Sequence, residues 1–82
     1  MIAKNMMSIM KENHRNSVWY GDIYLIEKCA IMSGVIKKHP QDTIQCILNA
    51  LDKSPLFIKG YIVADVSGKK RRYRCFTIRD RK

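Results

Sequence analysis

The sequence predicts a small α+β domain, three helices followed by a C-terminal β-hairpin, and three observations predict it. Apolar residues recur with helical spacing up to about residue 53, then with extended, strand-like spacing after Pro55. Pro40 and Pro55 stand at the two points where the pattern breaks, and each steers the residue before it away from helical angles. Finally, 82 residues with 46% hydrophobic and 28% charged side chains are enough for one modest core and too few for two lobes with a cleft between them. The whole chain, 1–82, reads as a single domain.

Each element follows from local chemistry. Ile2, Met6, Ile9 and Met10 lie close to the i, i+4, i+7, i+8 stripe of a first helix over about 2–12. The polar stretch Asn13–Ser17 ends it, and Val18-Trp19-Tyr20 is a brief β-prone run stopped by Gly21. Asp22 is expected to cap a second helix, about 22–34, by accepting backbone N–H bonds at its positive end. Ile23, Ile26, Cys29 and Ala30 are its expected inward face, and Ser33-Gly34 its end, since glycine is favoured just past a helix. Pro40 suits the first turn of a third helix, 40–53, in which Ile44, Ile47, Leu48 and Leu51 at i, i+3, i+4 and i+7 define the buried face. Beyond Ser54-Pro55, the runs 57–66 and 71–79 are β-prone and Ser67–Lys70 is a turn, so a hairpin spans about 57–79.

Charge is concentrated at one end. The segment Lys69–Lys82 holds eight of the 16 basic side chains and only one of the seven acids, Asp80, and so carries +7 of the net +9. A field of one sign confined to one segment attracts a polyanion, and nucleic acid is the polyanion a small basic protein most often meets. Lys69, Lys70, Arg71 and Arg72 are expected at or beside the hairpin tip, with Arg74 on the same strand. Alternation puts Arg72, Arg74, Phe76 and Ile78 on one face of that strand and Arg71, Tyr73, Cys75, Thr77 and Arg79 on the other. Such a hairpin can contact phosphates in series or place arginine in a narrow minor groove. If the third helix is buried through its Ile/Leu stripe, Gln41, Thr43, Gln45, Cys46, Asn49 and, near its end, Lys53 are left outside. Gln and Asn offer a donor and an acceptor together to the N6/N7 edge of adenine, and Thr can pack its methyl on thymine.

The Trp19–Asp22 lead-in to helix two, the Ile44/Ile47/Leu48/Leu51 stripe and the Ser67–Lys70 tip give the chain an element order that resembles the winged helix-turn-helix domain over nearly its full length. That resemblance implies a DNA-binding transcriptional regulator, with helix 40–53 in the major groove of double-stranded DNA and the hairpin wing on the phosphate backbone or in the minor groove. Five residues separate Gly34 from Pro40, more than the tightest helix-turn-helix units use.

Other functions are expected to be absent or secondary. His14 and His39 are far apart, and no Cys-x-x-Cys or His-x₃-His pair is present, so neither metal nor cofactor is expected. No Gly-x-Ser-x-Gly elbow or phosphate loop is present, and the chain does not read as an enzyme. Three cysteines at wide spacing read as reduced thiols. With no apolar run of membrane-spanning length and no leader-like start, the expectation is a soluble cytoplasmic protein, associated with the nucleoid if bacterial. Met1, Met6, Met7 and Met10 serve either a homodimer contact through the N-terminal helix or the closing of the core. Two alternative partners fit the charge. One is an acidic protein surface bound by the hairpin, the chain then acting as an inhibitor or adaptor. The other is RNA, with Tyr73 and Phe76 stacking on unpaired bases.

Overall fold

The computed structural model describes residues 1–79; Asp80, Arg81 and Lys82, the end of the basic segment, lie outside the described residues. The chain runs α1 (Ile2–Glu12), β1 (Ser17–Trp19), α2 (Ile23–Ser33), α3 (Pro40–Lys53), β2 (Phe57–Val66) and β3 (Lys69–Ile78). It is an α+β fold, but the order departs from three helices followed by a hairpin. The short run at 17–19 is a strand, and it pairs antiparallel with the far end of β3, Ser17 opposite Thr77 and Trp19 opposite Cys75. The sheet therefore has three strands in the order β1-β3-β2. Val18, opposite Phe76, is fully buried with it, which is why a three-residue strand is held in place.

The helices close over this end of the sheet. Met6 and Met10 of α1, Leu25, Ile26, Cys29 and Ala30 of α2, and Ile44, Ile47, Leu48 and Leu51 of α3 form one cluster with Val18, Phe57 and Phe76. Met6 and Met10 thus close the domain's own core; Met7 packs at its edge, and Met1 is exposed. In α2 the inward face is turned toward Leu25, so Ile23, expected inside, stands exposed at its rim.

Helix ends are set by backbone geometry. After α2, Gly34 takes left-handed angles (φ 67°), its N–H donates to the Ile31 carbonyl and the Val35 N–H to that of Ala30, a Schellman closure with Val35 packed back on the core. α1 ends the same way with His14 in the glycine position (φ 55°): His14 N–H donates to Lys11 O and Arg15 N–H to Met10 O. Asp22 precedes α2 but does not cap it. Its carboxylate accepts at 2.9 Å from the Arg15 guanidinium and at 3.0 Å from the Trp19 N–H, so it ties the α1–β1 loop and the β1 end to the start of α2. A charged guanidinium and a nearby N–H outcompete the helix's own donors for its two oxygens.

β2 and β3 pair along their whole length, from Phe57–Ile78 to Val66–Lys69. The buried residues of this hairpin, Phe57 and Phe76, lie at one end, so at ~3.3 Å per residue the rest of it extends beyond the core and contributes to the 39 × 29 × 23 Å extents. The turn consists of Ser67 and Gly68 alone, both with positive φ (56° and 76°), the arrangement of a two-residue type I′ hairpin. Lys69 and Lys70, expected in the turn, already belong to β3.

Candidate nucleic-acid interface

Two surfaces that sequence reasoning treated separately meet on one side of the molecule. β1 covers only residues 75–77 of β3, so on that side the stretch Lys69–Arg74 forms an open sheet edge. The exposed face of α3 lies beside it. Between them is a groove of about 380 Å³ lined by Tyr20, Gln41, Gln45, Leu48, Arg71, Arg72, Tyr73 and Arg74.

Arg74 joins the two walls. Its Nη2 donates to Gln45 Oε1 at 3.1 Å and to Asn49 Oδ1 at 3.0 Å. Its guanidinium also stands 6.0 Å from the centre of the buried Phe76 ring. Arginine has donors only, so both carboxamides must turn their oxygens toward it and leave their NH₂ groups facing elsewhere. Arg72 lies over the exposed ring of Tyr61 on β2, 4.9 Å from its centroid, and Arg71, Lys69 and Lys70 are exposed along the strand. The positive charge is therefore laid out along a strand and not gathered at a tip.

The head of the groove is aromatic. Tyr73 stacks on Tyr20 (centroids 5.3 Å, planes 26° apart) and meets the edge of Trp19 (5.6 Å, 62°). Gln41 donates from Nε2 to the Tyr20 hydroxyl, which ties the start of α3 to this cluster.

The residues expected to make a site are thus divided. Gln41, Gln45, Arg71, Arg72 and Arg74 line the groove, and Asn49 joins it through Arg74. Lys69 and Lys70 continue the basic strand beyond it. Lys53 is exposed at the end of α3 and does not line the groove. Thr43 is a correction: it is buried, and its hydroxyl accepts the Lys37 N–H at 2.8 Å, fastening the α2–α3 connection to α3. Position 43 sits one residue before Ile44 on the core side of the helix, so a count of polar types misplaced it. Tyr20 and Leu48 also line the groove, though sequence reasoning assigned neither a binding role, and Tyr73 lines it too, where sequence reasoning assigned it only a stacking role toward RNA. The signal for Tyr73 was present in its alternation with Arg72 and Arg74, an aromatic between two cations.

No family model, curated protein or solved structure matches the chain. Any role for the groove therefore rests on its own chemistry. Among the described residues no group of three or more His, Cys, Asp or Glu side chains could hold a metal ion, and no helix is long and apolar enough to cross a membrane. All three cysteines are free thiols. Burial pushes the Cys29 thiol above its ordinary pKa, an effect partly offset by the Ser33 hydroxyl and the α-amino charge. That thiol lies in the core, away from the groove.

Proposed function

We propose that the chain is a winged helix-turn-helix domain that binds double-stranded DNA as a transcriptional regulator, with α3 in the major groove and the β2–β3 hairpin as the wing. The observation that carries the reading is the pair of hydrogen bonds from Arg74 to Gln45 and Asn49, by which the polar face of α3 and the basic strand form one surface. The element order of helix, short strand, two helices and a C-terminal hairpin supports the reading by its resemblance to winged helices.

The division of labour follows from chemistry. Lys69, Lys70, Arg71 and Arg72 are exposed cations along an open strand, suited to phosphates in series. Gln45 and Asn49 address base edges. With their oxygens held by Arg74, they present donors, which suit the O6 and N7 of guanine or the O4 of thymine in place of the paired donor and acceptor that adenine requires. Burial of Phe76 removes one of the two rings an RNA-stacking role would need.

The test is a titration of the full chain with duplex DNA over a salt series, beside single-stranded RNA and heparin. Neutralising ~4 phosphates gives a log–log slope near −4. Replacing Lys69, Lys70, Arg71 and Arg72 by Ala should bring the slope close to zero and weaken all sequences alike. Affinity for duplex DNA no greater than for heparin, with no preference among sequences, would overturn the reading.

A further inference from the structure

α2 carries more apolar surface than its core face uses. Leu25, Ile26, Cys29 and Ala30 are buried, yet Ile23 and Ile31 on the flank are 40% and 67% exposed. Ile23, Glu27 and Ile31 follow one another at i, i+4 and i+8 and so form a row along the helix. Opposite that row stands the α2–α3 connection with Ile36, 65% exposed, and Lys37. Between the two rims runs a groove of about 370 Å³, floored by the buried Ile26, Ala30 and Ile44. A helix that is apolar beyond the stripe facing its own core has a second face to bury.

We propose that this groove is a two-fold dimerisation surface occupied by a second copy of the same chain. The charges on its rims choose the occupant. The α2 rim carries the acid Glu27 between two isoleucines, the opposite rim carries the base Lys37 next to Ile36, and neither is ion-paired with any described residue. A partner of a single charge sign would meet one rim favourably and the other unfavourably. A second copy related by a two-fold axis sets each α2 row against the other copy's connection rim, so Glu27 meets Lys37 twice and the exposed isoleucines cover one another. On α3 the groove uses Pro40, Thr43 and Ile44, while the basic groove uses Gln41, Gln45 and Leu48, so the two surfaces share no residue of that helix.

The inference does not depend on DNA binding, and its test needs none. Sedimentation of the full chain over a concentration series is expected to show a monomer–dimer equilibrium. Ile31→Glu and Ile36→Glu, both at exposed positions and checked by circular dichroism for an intact fold, are expected to abolish the dimer. Glu27→Lys or Lys37→Glu alone should weaken it by roughly tenfold or more, and the two reversals together should restore it. A chain that stays monomeric at every concentration, a dimer indifferent to Ile31→Glu, or a double reversal no better than either single one would each overturn the proposal.

Discussion

Arg74 holds its place through three different neighbours, two carboxamide oxygens and the face of a buried ring. Its removal therefore changes what Gln45 and Asn49 can recognise as well as the total charge. In Arg74→Ala the two carboxamides regain free oxygens, and each can again offer adenine a donor and an acceptor. Selection from a random duplex pool should then shift from guanine and thymine toward adenine at the positions α3 faces. An unchanged preference would mean that α3 does not read through these two side chains. At Cys29 the consequence concerns stability. Burial penalises only the thiolate, so the folded chain keeps this thiol neutral to higher pH than the unfolded chain does. The stabilising contribution is complete below the ordinary thiol range and is lost as pH rises through the raised folded-state value. Melting temperature should fall more steeply in alkaline buffer for the parent chain than for Cys29→Ala, whose own baseline is lower because a packed sulfur is gone. Equal slopes would place the alkaline sensitivity elsewhere.

The elements differ in how openly the sequence declares them, and α1 shows why. Its span is plain from Met6, Ile9, Met10 and the polar stretch after Glu12, but the way it closes is not, because His14 takes the left-handed position that glycine holds at Gly34. A non-glycine residue in the left-handed region is strained by its Cβ, so His14→Gly should stabilise the fold by about 1 kcal/mol, read as a higher midpoint in urea. No gain would mean that the imidazole makes a compensating contact. α3 and the hairpin were legible to within a residue or two because proline punctuation and the change of apolar period are local signals. β1 was legible as a β-prone run but not as a sheet member, since its partner Phe76 lies 58 residues downstream and pairing over that distance leaves no local trace. The same limit applies to the candidate site. The exposed carboxamides and the cations could each be read from the chain, whereas the bond between them, the aromatic cluster at Tyr20 and Tyr73, and the burial of Thr43 follow from how α3 packs on the sheet.

At the scale of the whole molecule, stability should be graded along the sheet. Where β1, β2 and β3 run together under the helices, Val18, Phe57 and Phe76 are buried, and opening that region exposes the common core. Beyond Gly60 and Cys75 the hairpin continues with no buried residue on either strand, held by its own ladder, the Ser67-Gly68 turn, the Arg72–Tyr61 contact, the packing of Tyr73 on Tyr20 and Trp19, and the tie from Arg74 to α3. An isolated two-stranded ribbon is marginal in water, so this outer half should open without global unfolding. In native-state hydrogen exchange, amides of 62–66 and 69–72 should exchange far faster than those of α3 and of residues 75–77, and their exchange should be insensitive to low denaturant. Arg74→Ala should accelerate the outer hairpin further while leaving core amides unchanged, because it cuts the tie to α3 and leaves the buried residues in place. If the outer strands instead exchange at the global rate, the hairpin is part of the cooperative unit. Under the proposed function it would then meet a DNA backbone as a rigid arm. Under the proposed DNA-binding reading, graded stability would let the basic strand adjust to the path of the phosphates while α3 stays fixed on the core.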